Sequence, residues 1–163
     1  MAEAQSVVYG VVGVILLVTL VSGPLVGVVD LTHAQRCTAP VGSGSASVTV
    51  DSLPDRATIS KGKFGSEAYY LQVPDGAVRL SNVTGQPLLS YDISIPEMGL
   101  TTGPTLFLCA GQARRQTLSI RQRTIDQNEL DANSYNATLT VSLRADGNET
   151  VVREKPIVVE VDR

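Results

Sequence analysis

The sequence predicts a mostly β protein, with an N-terminal transmembrane helix followed by one antiparallel β-sandwich domain. Residues 7–29 carry no charged side chain. Beyond Ser45 the apolar residues recur at every second position, the period of a strand with one buried face. Clusters of Pro, Gly, Asp and Asn break those runs at the spacing of sandwich strands.

The first element is the anchor, assigned to residues 1–36. The run VVYGVVGVILLVTLVSGPLVGVV spans 23 residues. As a helix it reaches roughly 35 Å, enough to cross the hydrocarbon core of a bilayer. A buried core helix would carry a polar stripe, and none is present. A cleaved signal peptide would have a basic start and a small-residue cleavage site. Here Glu3 is the only charge before the run, and His33-Ala34-Gln35-Arg36 follows it. Pro24 predicts a kink near Ser22-Gly23. Gly23 and Gly27 have the GxxxG spacing that lets helices approach closely in lipid.

Orientation comes from the sequons. Asn82-Val83-Thr84, Asn136-Ala137-Thr138 and Asn148-Glu149-Thr150 use three of the five Asn in the chain. All follow the apolar run, so Asn82, Asn136 and Asn148 are expected to be glycosylated on an extracellular domain. The expected location is the cell membrane, with a single pass and the C-terminal part outside.

Residues 37–47, with Pro40 and a Gly/Ser-rich stretch, stop the helix and read as a flexible tether. The β domain is expected over residues 48–163. Its strands are marked by Val48 and Val50, Tyr69-Leu71-Val73, Val78 and Leu80, Tyr91-Ile93-Ile95, Leu118 and Ile120, Leu139-Val141-Leu143, and Ile157-Val159-Val161. This predicts seven strands or eight. The clearest local unit is a C-terminal hairpin, in which residues 137–144 and 151–161 flank the turn Ala145-Asp146-Gly147-Asn148. Pro156 cannot donate to a ladder, which places its part of the returning arm on an edge or at a bulge.

Ahead of that hairpin, the segment Leu130-Asp131-Ala132-Asn133-Ser134-Tyr135-Asn136-Ala137 resembles the tyrosine corner of immunoglobulin-like and fibronectin-like sandwiches. The resemblance implies such a sandwich, with Tyr135 bonding back onto its own chain. The bland alternative is an ordinary Tyr at a loop-to-strand junction. Two cysteines, Cys37 and Cys109, are expected to form a disulfide in an exported domain. The alternative is a free Cys109 buried beside Leu106-Phe107-Leu108.

A net charge of -3 creates no field for nucleic acid. The basic residues Arg114, Arg115, Arg121 and Arg123 lack interleaved aromatics, and no nucleic-acid partner is expected. The one His, His33, has neither the company of a zinc site nor that of a catalytic triad. Gly42-Ser43-Gly44-Ser45 lacks the Lys of a phosphate loop. No enzyme, catalytic residue or cofactor is therefore expected. The oxygen-rich stretch Asp126, Asn128, Glu129, Asp131 and Asn133 misses the EF-hand spacing. It leaves Asp126, Asn128 and Asp131 as metal candidates and a surface-tethered solute- or calcium-binding module as the alternative function.

The apolar N-terminal run resembles the helices of archaeal type IV pilin-like proteins. Ten of the 13 basic residues are Arg, a bias of GC-rich, for example haloarchaeal, genomes. The resemblance implies a β-rich head on a membrane helix. The expected function is a non-enzymatic, membrane-anchored surface protein that makes protein contacts in a cell-envelope or pilus-like assembly. Its expected partners are membrane lipid through the N-terminal helix, and another protein or a second copy of the chain.

Overall fold

A computed structural model of the chain describes residues 37–63, 68–111 and 114–162. The anchor expected over residues 1–36, His33 included, lies outside the described residues. Among the described residues, no helix is long and apolar enough to cross a membrane.

The described domain is mostly β and forms two sheets. Its strands are β1 (Gly44–Ser52), β2 (Arg56–Lys61), β3 (Tyr69–Gln72), β4 (Gly76–Gly85), β5 (Leu88–Ile95), β6 (Leu100–Thr102), β7 (Thr105–Phe107), β8 (Arg115–Leu118), β9 (Arg123–Ile125), β10 (Ser134–Ala145) and β11 (Asn148–Asp162). The smaller sheet runs β1-β4-β8, and the larger runs β6-β5-β10-β11-β2-β3-β9, with β7 also pairing β5. Helical structure among the described residues is confined to two single 3-10 turns, Pro96–Met98 and Gln127–Glu129.

Alternation decides which side of each strand is buried. In β5, Leu89, Tyr91, Ile93 and Ile95 are buried, while the residues between them face outward. Val78 and Leu80 of β4 and Leu118 of β8 meet Leu139, Val141 and Val159 of the larger sheet in one hydrophobic core. Each fully buried Leu, Ile or Val side chain contributes roughly 1.5–3 kcal/mol of transfer free energy, so this shared core holds the two sheets together as a sandwich.

Two features shape the edges. The chain leaves the smaller sheet after Ser52 at Leu53-Pro54, and β2 then joins the larger sheet parallel to β11. Proline lacks the amide hydrogen needed to extend the first ladder, which suits the changeover. The β10–β11 hairpin closes through a two-residue loop, with Asp146 at φ 49 and Gly147 at φ 79. Positive φ at both central residues is the twist-matched geometry of a tight hairpin.

The structure corrects three sequence expectations. Residues 37–47 are not a free tether. β1 begins at Gly44, the Gly42 amide donates to Gln86 O at 2.8 Å, and the Asp146 amide donates to Gly42 O at 2.6 Å. Gly44 and Gly85 are register partners with φ of 88 and 63. A Cβ on Gly85 would lie 2.8 Å from the Gly44 Cα, so glycine there serves a close backbone approach. Eleven strands replace the expected seven or eight, because β6, β7 and β9 have three residues each and show almost no period. The strand marked by Leu118 and Ile120 stops at Leu118, where β8 ends, and the next strand, β9, opens at Arg123 in the other sheet.

Candidate interaction surfaces

A cleft opens between β1 and the first half of β11. Among the described residues, β1 is ladder-paired on one side only, to β4. β11 pairs β10 along its length, but β2 covers its other side only from Val158 onward. Among the described residues, no strand pairs with the other side of residues 148–155. The two edges line a cleft of about 570 Å³, with Val48, Val50 and Leu53 on one wall and Val152, Arg153 and Lys155 on the other. A bulge between Val141 and Ser142 of β10 displaces the ladder opposite Val152. Pro156 stands where the free half gives way to the covered half, in agreement with the edge position predicted for it.

Charges close one end of the cleft. Lys155 Nζ donates to Leu53 O at 2.9 Å and pairs with Asp55 at 2.6 Å. The Asp55 carboxyl is held below its ordinary value, first by the hydrogen bond it accepts from Lys155 and then by the Lys155 charge. The Asp51 side chain is 16% exposed and faces Arg79 at 3.3 Å and Arg115 at 3.9 Å. Open ladder positions beside walls that mix Val48, Val50, Leu53 and Val152 with Thr49, Asp51, Arg153 and Lys155 offer the chemistry of strand addition, in which an extended segment bonds to an open sheet edge.

The outer face of the larger sheet is rich in hydroxyls. Ser90 and Thr105 lie 3.2 Å apart across β5 and β7, and Ser94 and Thr101 lie 3.1 Å apart across β5 and β6. Ser142, buried to 4% exposure, donates to Glu149 at 3.0 Å. Asp92, in the same face, has its carboxyl raised by burial and secondarily by the Glu149 charge.

The residues singled out from sequence are spread over the domain. Cys37 and Cys109 form a disulfide, with Cα atoms 5.7 Å apart. Tyr135 makes the corner its sequence context resembles: its hydroxyl donates to Glu129 O at 3.4 Å and accepts from the Ala132 amide at 3.0 Å. All three sequon asparagines are exposed. Asn82 sits in β4 at φ 53, Asn136 Nδ2 donates to Glu97 at 3.4 Å, and Asn148 Nδ2 donates to Asp146 O at 3.5 Å. Of the metal candidates, Asp126 precedes the 3-10 turn, Asn128 lies within it and Asp131 follows it. Asp126 and Glu129 line one groove together with Arg123. Among the described residues, no group of three or more His, Cys, Asp or Glu comes together to hold a metal ion.

Sequence reasoning missed the β1–β11 cleft. It depends on where β2 begins to pair with β11, a contact across about a hundred positions that leaves no local pattern. The nearest signal is the Leu53-Pro54 break together with Pro156.

No protein-family model matches the chain. No curated protein matches it. Among solved structures, murine CRIg aligns with 14% sequence identity and a TM-score of 0.33, over 74% of this chain and 100% of that one. The reading of the fold rests on the strand order and the Tyr135 geometry.

Proposed function

We propose that this chain is a non-enzymatic, membrane-anchored surface protein whose immunoglobulin-like head makes protein contacts in a cell-envelope or pilus-like assembly. Strand order supports the head's class. Immunoglobulin sandwiches place strands A, B and E side by side in one sheet and C, F and G in the other. Here β1-β4-β8 and β5-β10-β11 stand in those orders, and Tyr135 makes the corner at the start of the F equivalent. The membrane placement is supported by the uncharged run over residues 7–29, and the outward orientation by the three sequons.

The observation that carries the contact role is the pair of unpaired edges, β1 and residues 148–155 of β11, on either side of one cleft. An open edge is a liability unless it is shielded or used. A photo-crosslinking residue at Thr49 on β1 or at Val152 on β11 tests the proposal in cells making the full chain. Discrete adducts are expected from both positions and not from the exposed Thr58 of β2, a strand paired on both sides by β11 and β3. Surface-located protein giving adducts from none of these positions, or equally from all three, would rule out an edge-mediated contact.

A further inference from the structure

The open half of β11 is defended unevenly. A bulge, a charge turned inward and a proline each discourage a sheet edge from pairing with a further strand. Residues 151–156 have all three. Val152 stands extra where Val141 and Ser142 of β10 face Arg153 and Val151. Arg153 and Lys155 are partnered with the fully buried Val141 and Leu139, so they point to the core-facing side of the sheet. Pro156 follows and has no amide hydrogen to offer. Residues 148–150 keep a regular ladder with β10 and hold neither a proline nor an inward charge. Glu149 lies on the outer face, where it accepts from Ser142 Oγ at 3.0 Å. What distinguishes this undefended stretch is its sequence, Asn148-Glu149-Thr150.

Register sets where the Asn148 side chain goes. Thr150 is partnered with Leu143, which packs against the core, and Asn148 with Ala145 two positions on. Alternation puts Asn148 and Thr150 on the face that looks toward β1, and both are exposed. β1 begins beside them: the Gly44 amide donates to Asp146 Oδ1 at 3.0 Å, in the turn just before Asn148. From Asn148 to Val152 the strand advances about 13 Å, a distance that an oligosaccharide of a few sugars covers. Asn148 Nδ2 donates to Asp146 O at 3.5 Å with one of its two hydrogens. The other is the hydrogen that an N-linked sugar replaces. The remaining sequons are placed differently. Asn136 lies on the outer face opposite Val158, where β2 already covers β11. Asn82 lies in β4, whose two sides are taken by β1 and β8.

We infer that an N-linked glycan on Asn148 guards this edge, so that occupancy of one sequon sets how many chains make the edge contact. This rests on the contact role proposed above and adds its regulation. Attachment forms a bond from Asn148 Nδ2 to the anomeric carbon of a lipid-linked oligosaccharide. The bond from that carbon to the donor's phosphate breaks, and the lipid phosphate leaves with the proton that the amide loses. The bulky, hydrated glycan then stands over residues 148–152, and a strand that approaches there meets sugar in place of open main-chain groups. Chains without it offer the edge.

Photo-crosslinking from Val152 of the full chain in cells tests this, with the intact mass of each variant reporting its glycans. Asn148→Gln and Thr150→Ala both abolish the third sequon, while Thr150→Ser keeps it. Val152 adducts are expected to rise roughly threefold in Asn148→Gln and Thr150→Ala, the gain when the pairing-competent fraction goes from about a third of chains to all. They are expected to stay at the parent level in Thr150→Ser, Asn82→Gln and Asn136→Gln. A parent chain that is bare at Asn148 overturns the guard. So do adducts insensitive to loss of the sequon, which leave the edge contact standing, and adducts that rise equally with the loss of any sequon. The absence of adducts from Val152 and Thr49 in every variant overturns the contact and the guard together.

Discussion

Arg79 and Arg115 stand directly opposite each other on β4 and β8. Like charges in that position repel, and the Asp51 carboxylate on β1 answers both, 3.3 Å from one guanidinium and 3.9 Å from the other. The arginines are 65% and 72% exposed, so solvent screens the attraction strongly. Asp51→Ala is expected to lower stability by about 1 kcal/mol at low salt, and by less at high salt. Adding Arg115→Gln to that variant is expected to recover part of the loss. Urea denaturation of the single and double variants measures it, and a loss independent of salt would mean that packing dominates at Asp51.

The tyrosine corner gives a second expectation. Tyr135→Phe removes one donor and one acceptor from a part-buried site. The cost is expected to be about 1–2 kcal/mol, with an unchanged denaturant slope. A change within experimental error would reduce Tyr135 to an ordinary core ring.

The disulfide joins positions 72 apart. In the chain-entropy account, closing so long a loop stabilises the fold by about 4 kcal/mol. A Cys37→Ser/Cys109→Ser double variant is expected to lose stability of that order in the same assay. It should keep the far-ultraviolet spectrum of the parent where it remains folded.

Tyr91 is fully buried, and its hydroxyl meets no hydrogen-bonding group of the described residues. Burial first, and the Asp75 charge second, push its pKa up to about 12 from an ordinary value of 10.0. Because the folded state holds this proton more tightly than the unfolded state does, the stabilising contribution is complete below pH 10. It is lost as pH rises from there toward 12. Tyr91→Phe is expected to alter stability at pH 7 by less than about 1 kcal/mol, since no bond is broken, and to flatten the alkaline loss. Melting temperatures of both proteins across that pH range check the slope; parallel curves would show that another group governs it.

Much of the sandwich was legible because the β period is a local property. Every apolar pair or triplet marking a strand falls in one of β1, β3, β4, β5, β8, β10 or β11, or within two residues of its end. The Asp146-Gly147 turn was legible for the same reason: two residues with positive φ leave a sequence signature. β2 was missed although Ala57 and Ile59 are both buried, because alanine contributes little to an apolar pattern. The tether assignment failed on a different ground. Small polar residues read as flexible, yet Gly44 is there because another glycine lies against it. The β1–β11 cleft comes from register between distant strands, which no window of sequence contains.

The Cys37–Cys109 bridge also decides how the domain bears load. Tension applied through the N-terminal segment enters the fold at two places, Cys37 and, through the sulfur bridge, the end of β7. It therefore divides between β1 and the larger sheet instead of peeling β1 from β4 one bond at a time. At the opposite terminus, β2 and β11 run parallel, so a pull on one strand against the other strains several hydrogen bonds in shear together. A domain built this way resists being pulled open through its N-terminal side, as a clasp sewn down at two points outlasts one held by a single stitch.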